Sequence, residues 1–322
     1  MNERINRQLD RSMPFITPCS VGIGVLLANH LTSFSYLVPW IFAFMTFSGS
    51  LGSTFKSLQR VISHPMKMVT ILAILHIFMP VWAWGIGSIA FNGDPDTITG
   101  VMLAVIIPTG ITSFIWVSIY RGNIALALSV ILVDTLLSPF IVPFSISLMA
   151  GQSVVIDVWG MMSGLVRMVV LPSIAGMLLN ELTRGKAKQQ LGPLLSPFSK
   201  IGLATVVMIN SSVVAPFLLQ INAKLVLIAA VAFFVSASGY MFSMLIGKFL
   251  NWEQADVVTF MFTGGMRNIS AGAVLAVAYF EPPVAVPVVV GMLFQQVLAS
   301  LFGHFLQKSY QKPLYKKIIS QE

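Results

Sequence analysis

Thr263-Gly264-Gly265-Met266-Arg267-Asn268 lies in the middle of an apolar segment that runs from about residue 255 to residue 280. Paired glycines, a guanidinium group and an amide at the centre of such a segment indicate that a membrane helix is interrupted there. A charged residue at bilayer depth costs roughly 2.5–3.5 kcal/mol, and it therefore marks a functional site by default. We interpret this stretch as one of two broken helices that together form a binding site.

The composition is that of a membrane protein. The chain of 322 residues is 56% hydrophobic and only 9% charged, whereas a soluble domain carries about 25% charged residues. Apolar runs long enough to cross about 30 Å of hydrocarbon recur along the chain. The single cysteine, Cys19, excludes an intrachain disulfide framework. The net charge of +8 favours cationic loops that face anionic lipid, and we expect a lipid bilayer rather than nucleic acid as the partner.

The apolar runs predict ten membrane-spanning segments in a single domain that covers residues 1–322. Their approximate bounds are 13–29, 36–53, 66–91, 100–120, 123–149, 154–180, 199–219, 223–247, 255–280 and 284–306. The longest connection, 181–198, is polar and basic. The other connections are too short for a second, soluble domain, and we expect a monomer.

Positive charge is distributed unevenly among the connections. Apart from Lys224, Arg167 and Arg267, the lysines and arginines lie at the N-terminus, in or beside alternate loops, or in the C-terminal tail. The opposite loops carry acids such as Asp94 and Asp157. Because cytoplasmic loops are enriched in lysine and arginine, this pattern predicts a multi-pass protein of the cell membrane with both termini in the cytoplasm. That topology requires an even number of spans, as ten is.

Three charged residues fall deep within predicted spans. Asp134, Arg167 and Arg267 lie about ten to twelve residues into the fifth, sixth and ninth spans, which places each near the bilayer midplane at about 1.5 Å per residue. Unpaired, they would cost roughly 8–10 kcal/mol together. We expect Asp134 to pair with Arg267 or Arg167, which leaves one cation over, or to titrate and couple to protons. His76, at similar depth, is a candidate proton relay or a hydrogen-bonded packing histidine.

A second polar interruption, Pro108-Thr109-Gly110-Ile111-Thr112-Ser113, lies in the fourth span. Its Thr-Gly pair precedes the Thr-Gly pair of the ninth span by 154 residues, close to half the chain. This spacing predicts two five-helix repeats, approximately 13–149 and 154–306, whose fourth helices are both broken. Five is an odd number, so the second repeat must be inverted. Matching interruptions in two inverted halves are typical of the binding site of a secondary transporter.

Several stretches resemble the bile acid:sodium symporter family over nearly the full length of the chain. They are Phe44-Met45-Thr46-Phe47-Ser48-Gly49-Ser50-Leu51, Ser63-His64-Pro65, Met79-Pro80, Arg121-Gly122-Asn123-Ile124-Ala125-Leu126 and Thr135-Leu136-Leu137-Ser138-Pro139. The resemblance implies an all-α membrane protein of ten transmembrane helices in two inverted repeats, with a panel and a core domain and with broken helices 4 and 9 crossing at the midplane. It also implies transport of organic anions, usually together with sodium.

The chain departs from that family where its members hold sodium. The resemblance places Thr263 and Arg267 where the family has a glutamate and a glutamine in helix 9, and it retains Asn268. Phe114, Ala127 and Ile131 likewise stand where the family has oxygen ligands. A guanidinium is a fixed cation without an acceptor. We therefore expect no metal ligand set of the family kind and no other cofactor, with sodium coupling lost or altered and a proton as an alternative.

These patterns predict a secondary active transporter of a small organic anion, bile-acid-like, pantoate-like or keto-acid-like, and not an enzyme. The candidate substrate-binding residues are Thr109, Gly110, Thr112, Ser113, Phe114, Thr263, Gly264, Gly265, Arg267 and Asn268. We expect Arg267 to bind the carboxylate. Three alternatives stay open: a membrane sensor or scaffold with a vestigial site, a sodium-coupled symporter with a non-standard cation site, and a channel.

Overall fold

The computed structural model describes residues 16–54, 65–150 and 157–319, and within these ranges the chain forms helices and no strand. The predicted all-α class is therefore confirmed for the described part of the chain. The N-terminal tail, the first residues of the predicted first and sixth spans, the connection around residue 60 and the last three residues lie outside these ranges.

The helices are numbered here in chain order. They are α1 (Ile16–Leu26), α2 (Ala28–Ser50), α3 (Pro65–Ala90), α4 (Pro95–Ile106), α5 (Ser113–Ile119), α6 (Ile124–Ala150), α7 (Val158–Leu182), α8 (Lys186–Val213), α9 (Ala223–Phe249), α10 (Gln254–Gly265), α11 (Ile269–Tyr279) and α12 (Pro282–Ile319). A short helical turn, Ala215–Leu218, follows α8. Two helices contain π-helical segments, Ile74–Phe78 in α3 and Val166–Val170 in α7.

Seven of these helices, α2, α3, α6, α7, α8, α9 and α12, are long and apolar enough to cross a membrane. Helices α1, α4 and α11 are shorter but also apolar. Large apolar side chains cover the outer surface, among them Trp40, Trp159 and Phe249, which are 75%, 78% and 84% exposed. Because a soluble protein rarely exposes so much continuous apolar surface, the protein is an integral membrane protein.

Neither the fourth nor the ninth predicted span is a single helix. Helix α4 ends at Ile106 and α5 begins at Ser113, while α10 ends at Gly265 and α11 begins at Ile269. The second interruption is therefore shorter than predicted, because Thr263, Gly264 and Gly265 still belong to the last turn of α10.

The predicted connection 181–198 is wrong in its extent, because α8 already begins at Lys186. Its lysines, glutamines and two prolines, Pro193 and Pro197, suggested a loop, but both prolines lie inside the helix. The small and polar residues Gly192, Ser196 and Ser199 recur at the spacing of one helical face. This helix is amphipathic in its first half, which hides it from a search for continuous apolar runs.

The helices pack as two bundles. In the first bundle α2 packs on α7 and α8, and α1 lies against α8, where Gly24 faces the Met208 backbone. In the second bundle α12 packs on α4, α9 and α11, α9 packs on α10, and α6 packs on α4, α5 and α10. Fewer contacts join the two bundles, chiefly between α6 and α7 and between α8 and α11. The interface between the bundles contains the candidate site.

The close approach of α1 to α8 makes Gly24 a sensitive position. A Cβ added at Gly24 would lie 2.2 Å from the Met208 carbonyl oxygen, whereas one added at Gly22 would meet nothing within 4 Å. We expect Gly24→Ala to lower the free energy of unfolding by about 1–3 kcal/mol, because backbone on both sides must shift. Gly22→Ala, the matched control, should leave stability unchanged or raise it slightly. Unfolding in detergent, followed by circular dichroism, measures both; equal stability of the two variants would contradict the packing.

Candidate functional site

The two interruptions meet and pair through their backbones. Thr109 and Arg267 form an isolated antiparallel β-bridge. The Gly110 N–H donates to the Met266 carbonyl at 3.1 Å, and the Asn268 N–H donates to the Pro108 carbonyl at 2.8 Å. At bilayer depth an unwound backbone must find its hydrogen bonds inside the protein. Each interruption therefore supplies hydrogen-bond partners for the backbone of the other.

Local sequence explains why the chain leaves the helical conformation at these points. Ile107 has a ψ of 151°, as expected for a residue that precedes proline. Pro108 has no N–H to donate to α4. In the second interruption Met266 is extended, and the side chain of Asn268 accepts a hydrogen bond from the Ala271 N–H at 3.3 Å, which starts α11. An amide at this position is a favourable N-cap.

The paired glycines of α10 are explained by packing against α9. A Cβ at Gly264 would lie 1.9 Å from the Ser243 hydroxyl, and one at Gly265 would lie 2.3 Å from the Tyr240 ring. Both helices can approach this closely only because the two residues lack side chains. Gly264 and Gly265 thus hold the end of α10 against α9, next to the interruption.

Asp134 of α6 lies beneath the crossing and is completely buried. Its Oδ2 accepts hydrogen bonds from the backbone N–H and the hydroxyl of Thr109, both at 2.7 Å. The Thr109 hydroxyl is also 3.2 Å from the Thr263 carbonyl oxygen. On the other side of the carboxylate, Nε2 of His76 lies 2.8 Å from Oδ1. Asp134 therefore joins α3, α6 and the first interruption.

Arg267 is 4% exposed, and its two terminal nitrogens have no hydrogen-bond partner among the described residues. It is close enough to Asp134 to interact electrostatically, but the ion pair that the structure gives Asp134 is with His76. The backbone of Arg267 holds the crossing, and its guanidinium group remains available.

Arg167 is not brought to Asp134. Its side chain is exposed and donates to the carbonyl and hydroxyl oxygens of Ser163, one turn earlier in α7, at 3.1 and 3.0 Å. The sequence places Arg167 at the right depth, but depth along a helix says nothing about the direction in which its side chain points.

A cavity of about 350 Å³ lies between the two bundles, with the crossing at one end. The first bundle contributes residues of α1, α2 and α8, including Thr17, Thr46, Ser199 and Lys200. The second bundle contributes both interruptions and residues of α5, α11 and α12; its polar members include Thr112, Arg267, Asn268, Ser270, Gln295 and Gln296. Apolar side chains such as Phe42 and Ile115 complete the wall. Its volume suits a small metabolite or a larger amphipathic anion.

The predicted substrate-binding residues are distributed around this cavity in three ways. Gly110, Thr112, Arg267 and Asn268 line it. Gly264 and Gly265 line a smaller pocket, with Tyr240, on the other side of Arg267. Thr109, Ser113 and Thr263 are buried in the protein, and Phe114 is absent from both linings.

Sequence reasoning missed the part of the wall contributed by the start of α8, because Gly192 and Ser196 lie in the segment 181–198 that was expected to be a connection. On α12 the Gln295-Gln296 pair was expected either to line the cavity or to form hydrogen bonds between helices. Gln295 lines both spaces, and its side-chain oxygen Oε1 has no partner among the described residues. Gln296 accepts a hydrogen bond from the Trp116 indole at 3.2 Å. The helical spacing of the α8 serines was a readable signal, because it marks a polar face on a helix that borders a cavity.

Three of the positions at which the resemblance implies a departure from the family's sodium ligands offer no free side-chain oxygen. Ala127 and Ile131, on α6, are buried and apolar, and Thr263 donates its hydroxyl proton back to the Thr259 carbonyl at 2.9 Å. The same helix, α6, carries Asp134, which contacts His76.

Two helical bundles with a cavity between them, and two paired helix interruptions in its wall, define a membrane protein of the secondary-transporter type. The chain belongs to the Sodium Bile acid symporter family, whose sequence profile matches residues 39–221. Its similarity to "Uncharacterized protein YbaS" of Bacillus subtilis (strain 168) is 54% identity over 95% of this chain and 100% of that protein.

The names of two further relatives state a transport function. "Uncharacterized sodium-dependent transporter YocS", also of Bacillus subtilis, is 25% identical over 90% of this chain and 92% of its own. "Probable sodium/metabolite cotransporter BASS1, chloroplastic" of Arabidopsis thaliana is 26% identical over 92% of this chain and 74% of its own. The predicted family is therefore confirmed.

The hydroxyl of Thr109 provides a test of the crossing. Thr109→Val removes a hydrogen bond to a fully buried carboxylate and should lower the free energy of unfolding by about 1–3 kcal/mol. Thr109→Ser keeps the hydroxyl and is the matched control. Denaturation of both purified variants in detergent measures the difference; a Val variant as stable as the Ser variant would show that Asp134 does not depend on this bond.

Proposed function

We propose that the protein is a secondary active transporter of a small organic anion, which it binds in the cavity between the two bundles and moves by alternating access. The single observation that carries this proposal is Arg267 in the cavity lining, whose buried terminal nitrogens have no hydrogen-bond partner among the described residues. A carboxylate would supply the missing acceptors in a bidentate, charge-assisted contact.

The other polar groups of the lining support a carboxylate next to Arg267. The Asn268 side-chain oxygen is used as the cap of α11, so its amide N–H groups are the part that can donate to a ligand. Thr112, Ser270 and Gln295 lie in the same lining. The apolar remainder of the wall suits the hydrocarbon part of a bile-acid-like, pantoate-like or keto-acid-like anion.

The proposed topology has ten membrane spans, with α4–α5 and α10–α11 each counted as one interrupted span. An antiparallel bridge between the interruptions is the geometry that two inverted repeats would give. With both termini in the cytoplasm, as the lysine and arginine distribution favours, the polar start of α8 lies on the cytoplasmic side. The cavity, lined there by Ser196 and Lys200, then opens inward.

Alternating access follows from the position of the cavity. Its wall is shared by two bundles that contact each other less extensively than the helices within each bundle do. A rocking of one bundle against the other would close the inward opening and expose Arg267 to the other side, as in transporters built from inverted repeats.

Family-type sodium coupling is lost or altered in this proposal. Relatives are named as sodium-dependent, but sodium needs several converging oxygens, and here buried Ala127 and Ile131 offer no side-chain oxygen. Arg267 also sets a cation beside the crossing. A sodium-coupled symporter with a different cation site is the alternative that the names of the relatives favour.

Replacement of Arg267 tests the proposed function. Arg267→Gln should weaken binding of the transported anion about tenfold or more while the protein still folds, because it removes a charge-assisted contact. Arg167→Gln is the matched control, since the hydrogen bonds that Arg167 makes within the described ranges go to Ser163 of its own helix. Calorimetric titration of the purified proteins with pyruvate, pantoate and taurocholate measures binding.

A structural role of Arg267 would give a different pattern. Arg267→Gln would then lower thermal stability more than it weakens binding. Saturable binding without uptake in proteoliposomes would identify a sensor or scaffold in place of a transporter, and single-channel conductance would identify a channel.

Sodium dependence is tested by salt exchange. We expect the same thermal unfolding temperature for the wild type in sodium chloride and in potassium chloride. The double variant Thr263→Glu with Arg267→Gln restores the acidic and amide side chains of the family motif and should gain stabilisation by sodium. A wild type that is itself stabilised by sodium would overturn the loss of sodium coupling.

A further inference from the structure

His76 and Asp134 form an isolated titratable pair in the interior. Their side chains are 6% and 0% exposed, and Nε2 of His76 lies 2.8 Å from Oδ1 of Asp134. Imidazole is the side chain that exchanges a proton near neutral pH without special perturbation. We propose that this pair is a proton-binding site linked to the anion at Arg267, so that a proton is the coupling ion. This inference rests on the proposed function.

Helix α3 departs from regular α-helical geometry at His76. His76 lies in the π-helical segment Ile74–Phe78, and Pro80 follows four residues later. Proline lacks the N–H that would bond to the carbonyl of residue 76, and π-helical turns occur often at functional sites. The side chain thereby points from α3 to Asp134 on α6.

A short chain of direct contacts connects the pair to the ligand site. Oδ2 of Asp134 accepts from the N–H and hydroxyl of Thr109, and Thr109 is bridged by its backbone to Arg267. Loss or gain of a proton changes the charge of the pair, which accepts two hydrogen bonds from Thr109. Because Thr109 is bridged to Arg267, the change also affects the second interruption. The two sites share one structural element.

Charge balance gives the sign of the coupling. With a neutral His76, Asp134 and Arg267 sum to zero, and an incoming monoanion would leave a net negative charge in a region of low dielectric. A proton on His76 cancels that charge. Binding of the anion and of one proton should therefore favour each other.

No other charge is placed to take this role among the described residues that pack on α3. Asp134 faces His76 from α6, with Arg267 beyond it. Helices α4 and α9 carry their charged residues, Asp96, Lys224 and Lys248, at or near their ends. Tyr240 of α9 is also titratable, but it is buried and donates to the Gln295 carbonyl at 3.3 Å. Asp256 of α10 is paired with Lys67 at the other end of α3.

Both ring nitrogens of His76 are buried and make no hydrogen bond in the described part of the chain, although Nε2 lies 2.8 Å from Oδ1 of Asp134. Nδ1 has no such neighbour among the ion pairs of the described residues. When His76 is protonated this nitrogen becomes a donor, and it then needs an acceptor such as a water molecule. A water there would be the natural carrier of the proton to and from the pair.

Proton uptake on binding tests the proposal directly. Whichever of pyruvate, pantoate and taurocholate binds to the wild type is titrated by calorimetry in two sodium-free buffers of different ionisation enthalpy. We expect about one proton taken up per anion, and an affinity that falls by up to about tenfold per pH unit on the alkaline side. In proteoliposomes, a pH gradient that is acidic on the outside should drive accumulation without sodium.

Two variants separate the pair from the rest of the protein. His76→Gln should still bind the anion, with no proton uptake and little pH dependence, and it should exchange anion across the membrane without responding to a pH gradient. His304→Gln is the matched control, because His304 is exposed and bonds only to the Ser300 carbonyl of its own helix; it should behave as the wild type.

The outcomes distinguish the two proposals. Anion binding without proton uptake by the wild type, or equal proton uptake by wild type and His76→Gln, overturns the proton site and leaves the anion transporter standing. Accumulation that requires a sodium gradient also overturns it. Failure of all three anions to bind removes the proposed function and this inference with it. If His76→Gln does not fold, the wild-type titration decides alone.

Discussion

A carboxylate with no access to solvent is the constraint on which the centre of this protein depends. Asp134 must obtain its hydrogen bonds and its counter-charge from the protein, because a buried charge left without partners is strongly destabilising. Thr109 donates two hydrogen bonds to it, Nε2 of His76 lies 2.8 Å from its other oxygen, and Arg267 is the fixed positive charge nearby. The first two contacts come from an interrupted helix and from a π-helical turn, so both departures from regular helix serve the same carboxylate. The rest of the second bundle can pack as ordinary membrane helices around it.

The backbone and the side chain of Arg267 have different roles at the crossing. Its backbone pairs with Thr109, while the terminal nitrogens of its guanidinium are buried beside the cavity and have no hydrogen-bond partner among the described residues. In membrane transporters, polar groups released by a helix interruption lie where protein or a water-filled cavity surrounds them, because lipid offers them no hydrogen-bond partner. Both bundles contribute to the wall of the cavity. In the proposed alternating access, movement of one bundle relative to the other would therefore open or close it.

The sequence predicted the features that depend on which residues follow one another along the chain. It did not predict the features that depend on the direction in which a side chain points. Long apolar runs located the membrane helices, and the Pro108 and Arg267 stretches located both interruptions. The pairing of Asp134 was not predictable, because three basic side chains, His76, Arg167 and Arg267, lie at similar depth and only packing decides which points at it. The start of α8 was missed because lysine, glutamine and proline outweighed the helical spacing of its serines.

The bridge between the two interruptions is made by backbone groups alone, and this has a consequence for how such proteins diverge. Because the bonds at residues 108, 110, 266 and 268 use main-chain atoms, they do not depend on which side chain stands at residue 267. Under the proposed function, a change of the ion that drives transport would then require different side chains at the crossing but no different fold.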